Sequence, residues 1–120
     1  RIIHLNHQIV NNYKNDINFK KMLFHNSVDY GTISDNATFR NRREGDYFRP
    51  AGRGVTKSLK KLFNEAKIPP SKRDDIVILA DGDRILWIDG FGPSEFGCIT
   101  SNTKELVAID IEGANIESSN

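Results

Sequence analysis

The sequence predicts an α+β domain built from several short antiparallel strands and one main helix. The first observation is a series of β-branched apolar runs in the second half of the chain, separated by turns that contain Gly and Asp. The second is a single stretch, residues 56–67, in which apolar residues recur at helical spacing. The third is the length of 120 residues, which suits one domain with its own core.

The first part of the chain predicts strands joined by polar turns. Residues 1–10 predict a strand. Because the chain begins with Arg1, we expect it to be a piece of a longer protein, in which this strand pairs with a preceding segment. Residues 11–16 are typical of a turn or loop. Residues 17–24 fit a strand or a helix. Two further strands are predicted at 27–33, with a bend at Gly31, and at 37–43, after a turn at Asp35-Asn36.

The helix is predicted at residues 56–67, where one apolar stripe is formed by Leu59, Leu62, Phe63 and Ala66. Thr56 or Gly54 can cap its start. Pro69 and Pro70 end it because proline cannot donate a backbone hydrogen bond. Residues 71–75 then predict a short turn or a single helical turn.

The C-terminal part predicts a meander of four strands. The hairpin signal Asp81-Gly82-Asp83 joins the first two, and a longer turn spans residues 89–93. Trp87 and Cys98 fall inside predicted strands and are interpreted as core residues. The four strands are predicted at residues 76–80, 84–88, 95–100 and 105–111.

Charge is distributed unevenly along the chain, although its formal net value is only +1. Residues 40–73 hold eleven Lys or Arg against three acids. Residues 74–120 hold two Lys or Arg against ten acids. This polarity predicts an anionic partner for the basic stretch.

The basic stretch supplies the candidate phosphate-binding residues. Arginines can donate paired hydrogen bonds to phosphate, and Arg40 and Arg42 are expected on one face of the strand at 37–43. Gly45 and Asp46 are expected to form a turn, in which Asp46 bonds backbone or holds a neighbouring Arg, while Gly52 and Gly54 shape the following loop. The alternative is that these cations pair with the acidic half inside the fold. The candidate cations are Arg40, Arg42, Arg43, Arg49, Arg53, Lys57, Lys60, Lys61 and Arg73.

The segment from Gly52 to Ser58 differs from a nucleotide-hydrolysing phosphate loop, because Thr56 stands where that motif needs Gly before Lys57. Backbone N–H groups before a helix start could still cradle one phosphate. An ordinary helix entry is the alternative.

No metal site or catalytic residue is predicted. The three histidines and the single cysteine do not have the spacing of metal ligands. A base-stacking role for Trp87 is the alternative to its place in the core.

Ordered motifs across residues 27–110 resemble the C-terminal domain of bacterial tRNA(Ile)-lysidine synthetase. They are Arg40-x-Arg42 leading to Gly45-Asp46, then Lys57 with Leu59-Lys60, then Ile68-Pro69 before Arg73-Asp74, and a strand with Trp87 that ends at Gly90. Glu44 departs from the family, which often has Pro there.

The resemblance implies a β-sandwich with helices, similar to a module in the β subunit of phenylalanyl-tRNA synthetase. It implies a cytoplasmic parent ligase that uses ATP and magnesium to attach lysine to the wobble cytidine of a minor isoleucine tRNA. Its catalytic domain would lie outside this chain, for which no cofactor is expected. Residues 27–112 would be the tRNA-binding domain, contacting the acceptor stem, after a strand or linker at 1–26 and before a frayed tail at 113–120.

Two other functions are consistent with the sequence. One is a structural module that packs on the catalytic domain or forms a homodimer through its oppositely charged halves. The other is an enzyme that acts on a phosphate-bearing substrate at residues 52–57. No apolar run approaches the length needed to cross a membrane.

Overall fold

The computed structural model describes residues 2–10 and 26–112, and their arrangement confirms the α+β class. The hypotheses for residues 11–16, 17–24 and 113–120 lie outside the described residues. The strands are β1 (Ile2–Ile9), β2 (Ser27–Asp29), β3 (Ala37–Arg40), β4 (Tyr47–Phe48), β5 (Lys57–Ser58), β6 (Ile78–Asp81), β7 (Arg84–Ile88), β8 (Gly92–Pro93) and β9 (Glu105–Glu112). The helices are α1 (Leu59–Glu65) and α2 (Pro70–Arg73), and a 3₁₀ turn spans Tyr30–Thr32.

The central layer is an antiparallel sheet with strand order β3-β6-β7-β8. One face of it packs on a second sheet with the order β1-β9-β2. Apolar side chains from both sheets fill the space between them, which makes this part a sandwich. The buried members of this cluster are Val28, Val77, Leu79, Leu86, Trp87, Val107, Ile109 and Ile111.

The other face of the central sheet is covered by α1 and the two-stranded β4–β5 ribbon. The stripe predicted for the helix is confirmed for three of its residues, since Leu59, Leu62 and Phe63 are buried. Ala66 is exposed, because the helix ends before it. Phe48 on β4 and Ile78, Ala80, Ile85 and Ile88 on β6–β7 complete this second core.

Helix α1 is shorter than predicted, because it begins at Leu59 and ends at Glu65. Lys57 and Ser58 form β5 instead, paired with Tyr47 and Phe48. The cap is therefore Ser58, whose Oγ accepts a hydrogen bond from the Lys61 N–H at 3.1 Å.

The strand predicted at residues 1–10 is confirmed as β1, and it pairs with the last strand, β9. The strands predicted at residues 27–33 and 37–43 are shorter, ending at Asp29 and Arg40. One strand prediction was wrong. Residues 95–100 contain a turn and no strand, and the edge strand β8 lies before them at Gly92–Pro93. The predictions for β7, the Asp81–Asp83 hairpin, α2 and β9 are confirmed within one or two residues.

Candidate nucleic-acid interface

The turn that follows β3 is built around a buried ion pair between Arg40 and Asp46. The two guanidinium nitrogens Nη1 and Nη2 donate to the two Asp46 carboxylate oxygens at 2.8 and 3.0 Å. Only 9% of the Arg40 side chain and 8% of the Asp46 side chain are exposed. The expectation that Asp46 holds a neighbouring Arg is confirmed. Arg40 therefore does not share an open face with Arg42, because β3 ends at Arg40 and its side chain points inward.

Asp46 also fixes the backbone of the turn. Its carboxylate accepts the Arg43 N–H at 2.7 Å, and its own N–H donates to the Arg43 carbonyl at 3.1 Å. Gly45, at the third position, has φ +85°, which is the value of a type II turn and requires glycine. Burial alone would raise the pKa of the Asp46 carboxyl, but hydrogen bonds from Arg40 and Arg43 and their positive charges outweigh it, so the pKa lies below its usual value.

The glycine loop does not lead directly into the helix, as the phosphate-cradle hypothesis required. It closes with a hydrogen bond from the Arg53 N–H to the Pro50 carbonyl, and β5 separates it from α1. Two N–H groups at the start of α1 already have acceptors. The Leu59 N–H donates to the Asp46 carbonyl at 3.1 Å, and the Lys61 N–H donates to Ser58.

Several predicted cations are engaged within the fold. Arg42 pairs with Asp74 at 2.8 Å, and Lys57 pairs with Glu65 at 2.9 Å. Arg49 forms an ion pair with Glu95 and donates to Thr56 Oγ1 at 3.2 Å. Arg73 donates to the Ile68 carbonyl at 2.9 Å. Two of these ion pairs join the basic half of the chain to its acidic half, as the alternative interpretation of the charges expected.

Four predicted cations remain open. Arg43, Arg53, Lys60 and Lys61 are all exposed, and none of them forms an ion pair with a described residue. We call these four the open cations. Their charges are available to an external anion without breaking an internal pair.

Two of the open cations line a groove of about 490 Å³ between the Arg43–Asp46 turn and the start of α1. Tyr47 lies in the same groove and is 60% exposed, whereas the adjacent Phe48 is 1% exposed. Sequence reasoning missed Tyr47, although its alternation with a core Phe was a usable signal. The lining residues are Arg42, Arg43, Glu44, Gly45, Asp46, Tyr47, Ser58, Leu59, Lys60 and Asp74.

The other candidates lie away from this groove. Trp87 is 1% exposed, which confirms its place in the core. Cys98 is half-buried outside any strand, and burial raises the pKa of its thiol. In residues 2–10 and 26–112, no three His, Cys, Asp or Glu side chains are placed to hold a metal ion. No helix in that part of the chain is long and apolar enough to cross a membrane.

Similar proteins were identified by sequence and by structure. The curated relatives include the tRNA(Ile)-lysidine synthase of Clostridium tetani, which is 39% identical over 71% of this chain and 18% of the relative. The synthase of Clostridium perfringens is 37% identical over 88% of this chain and 22% of the relative. This chain thus spans about a fifth of the length of these relatives.

A solved structure supports the same relationship. The crystal structure of a TilS C-terminal domain superposes with a TM-score of 0.60 and 36% identity, over 74% of this chain and 71% of the other. The profile of the TilS substrate C-terminal domain family matches residues 37–110, which include β3 to β8 and most of β9. The chain therefore belongs to the family of TilS substrate C-terminal domains.

Proposed function

We propose that this chain is the tRNA-holding part of a tRNA(Ile)-lysidine synthase, and that the groove and the open cations contact the RNA backbone. The observation that carries the proposal is the position of Arg43 and Lys60. They line one groove on opposite elements, a turn and a helix, and neither side chain forms an ion pair with a described carboxylate. Family membership supplies the class of the anionic partner.

The chemistry of the groove suits a phosphate backbone more than a base edge. Arginine can donate two parallel hydrogen bonds to a phosphate, and lysine acts as a mobile point charge. Double-stranded A-form RNA is recognised mainly through phosphates and 2′-hydroxyls, because its deep major groove hides the base edges. This chemistry favours a double-stranded RNA stem, and the resemblance to the lysidine synthetase family leads us to propose the acceptor stem as that region.

The engaged cations have a supporting role in this proposal. Arg40 holds the turn that presents Arg43, because both residues bond the Asp46 carboxylate. Arg42, Arg49, Lys57 and Arg73 keep part of their side chains exposed and add to the local positive potential. We do not assign a phosphate contact to Arg40, because its guanidinium is buried against Asp46.

On the basis of the family to which this chain belongs, we also propose the activity of the whole enzyme. In it, a catalytic domain outside this chain uses ATP with magnesium to join lysine to the wobble cytidine of a minor isoleucine tRNA in the cytoplasm. The role of this chain is then to hold the tRNA body while the anticodon reaches that domain. No cofactor is assigned to this chain.

Fluorescence anisotropy with the minor isoleucine tRNA and an unrelated tRNA, at two salt concentrations, tests the proposal. We expect binding that weakens steeply with salt and that prefers the isoleucine tRNA. A hairpin copy of the acceptor stem should compete for the same site. No binding at low salt, where phosphate contacts are strongest, would contradict the proposal.

A second function, a packing or dimerisation module, is favoured by one specific observation. Strand β1 lies outside the family match and exposes Ile2, Leu5 and Ile9 at 57%, 58% and 63%. Exposed apolar side chains on one strand are typical of a contact with another domain or a second copy. This function would be supported by a molecular mass in solution that rises with protein concentration. The mass of Leu5→Gln should then stay at the monomer value, and the chain should have no affinity for RNA.

A further inference from the structure

We propose that Tyr47 is a stacking platform for an unpaired RNA base, and that Arg43 and Lys60 hold the phosphates beside that nucleotide. The inference rests on the proposed function and adds the kind of nucleotide that the groove takes. It also replaces the stacking role considered for Trp87, which the core excludes because that ring is buried.

The backbone of Tyr47 is fixed, while its ring is free. Strand alternation places Phe48 in the core and turns Tyr47 toward the groove. Tyr47 is paired with Ser58 in the β4–β5 ribbon, and the next residue after Ser58 begins α1. A ring held on such a support loses little conformational entropy when a ligand binds to it.

Among the residues that the structure describes, Tyr47 differs from the other exposed aromatic side chains in having no partner there. Tyr30 stacks on His7 with 4.2 Å between ring centroids. Phe96 lies beneath the Arg84 guanidinium at 4.8 Å. No ring contact, cation contact or side-chain hydrogen bond links Tyr47 to any residue that the structure describes. Its face is therefore available to a planar ligand.

An aromatic ring that shares a groove with two cations suits a nucleotide, which carries both a base and phosphates. Each base offers a π-face, so stacking on tyrosine is tolerant of sequence, and the flanking phosphates meet the cations. Bases inside a duplex already stack on each other, so the ring can take only an unpaired base. On an acceptor stem, such bases lie at the single-stranded 3′ end.

A protein segment is the competing occupant, since Tyr and Arg are also enriched at protein interfaces. RNA is favoured by charge. The carboxylates of Asp46 and Asp74 are already paired with Arg40 and Arg42, so Glu44 is the remaining acid in the groove, against two open cations. The unpaired side chains of the groove therefore carry a net positive charge, which favours an anionic ligand such as a nucleotide.

The test compares two hairpins with the acceptor-stem sequence, one with its single-stranded 3′ end and one blunt. Anisotropy is measured for the full chain, for Tyr47→Ala, Tyr47→Leu and Tyr47→Phe, and for Phe96→Ala as the matched control. We expect Tyr47→Ala and Tyr47→Leu to bind the overhang hairpin about 5- to 100-fold more weakly. Tyr47→Phe and Phe96→Ala should bind it as the unchanged chain does, and the blunt hairpin should not distinguish the variants.

The outcomes separate this inference from the proposed function. If Tyr47→Ala binds both hairpins normally while Arg43→Gln weakens both, the stacking platform is overturned and RNA binding stands. An equal loss for both hairpins in Tyr47→Ala would also overturn it, because the ring would then touch the duplex. If neither variant changes the affinity, the groove is not the RNA site and both proposals fail.

Discussion

At the scale of single residues, the same cluster of arginines divides into buried, paired and open side chains. The sequence predicts that Asp46 can hold an arginine, but not that Arg40 becomes buried with it. Burial depends on α1 and β4 covering this side of the central sheet, and neither is visible in the local pattern around Arg40. Residue type could therefore predict the chemistry of the site but not which cations remain free.

The Arg40–Asp46 pair yields the first prediction. Asp46→Asn leaves a buried guanidinium without its counter-charge, so we expect the free energy of unfolding to fall by about 3 kcal/mol. The pKa of Asp46 in the folded chain lies below 3.8, its usual value. The Asp46 charge therefore makes its full contribution to the free energy of unfolding at pH values above the usual pKa of the group. This contribution is lost as the pH falls through the lower pKa of the folded chain.

Urea unfolding at several pH values checks this prediction. The difference between the unchanged chain and Asp46→Asn should be constant near neutral pH and should shrink below about pH 4. Glu44→Gln is the control, because Glu44 lies in the same turn but is exposed. It should change the free energy of unfolding only slightly. A difference that persists undiminished at low pH would show that the charge of Asp46 is not the cause.

Glu44 yields the second prediction. It occupies the second position of a type II turn, where proline is favoured, and no hydrogen bond among the described residues uses its N–H. Glu44→Pro should raise stability by roughly 0.5 kcal/mol by restricting the unfolded chain. It should also tighten tRNA binding, because it removes the unpaired acid of the groove.

Glu44→Gln separates the two effects of that change, since it removes the charge and leaves the backbone as flexible as before. We expect the same gain in affinity, measured by anisotropy, without the gain in thermal stability. Weaker binding in both variants would mean that Glu44 contacts the RNA or orders the turn.

At the scale of elements, the end of α1 gives the third prediction. Lys67 has φ +58°, in the left-handed region, and the Ile68 N–H closes the helix on the Phe63 carbonyl at 3.0 Å. Glycine is the residue that suits this position. Lys67→Gly should therefore raise the free energy of unfolding by roughly 1 kcal/mol, as measured in urea.

Lys67→Ala is the matched control, because it removes the same charge but keeps the β-carbon that causes the strain. We expect no gain in stability from it. Equal stabilisation by Gly and Ala would assign the effect to charge repulsion with neighbouring lysines.

Strands and helices were predictable where the hydrophobic pattern and the turn residues point to the same element, as in β7 and its hairpin with β6. They disagree at residues 95–100, where an apolar pattern predicted a strand. There the Ser94 Oγ accepts the Phe96 N–H at 3.1 Å, and the Gly97 N–H donates to the Ser94 carbonyl at 3.1 Å. A β-carbon on Gly97 would lie 2.7 Å from the Leu86 carbonyl oxygen, so this turn is packed closely against β7.

At the scale of the whole molecule, the pairing of the first strand with the last could not be read from the sequence. Period-two alternation marks β1 as a strand but carries no information about its partner. The register that joins Ile2 to Glu112 and Ile9 to Glu105 is set by contacts far apart along the chain. The same holds for the Arg42–Asp74 and Arg49–Glu95 ion pairs, which partly neutralise the predicted polarity.

The central claim is that the position of the open cations, and not the net charge of the chain, determines tRNA binding. The most direct test compares two double variants that remove the same charge, Arg43→Gln with Lys60→Gln and Arg84→Gln with Lys104→Gln. Binding of the isoleucine tRNA is measured over a range of salt. We expect the slope of log affinity against log salt to fall by about two in the first variant and to stay unchanged in the second. Equal slopes in the two variants would contradict the claim.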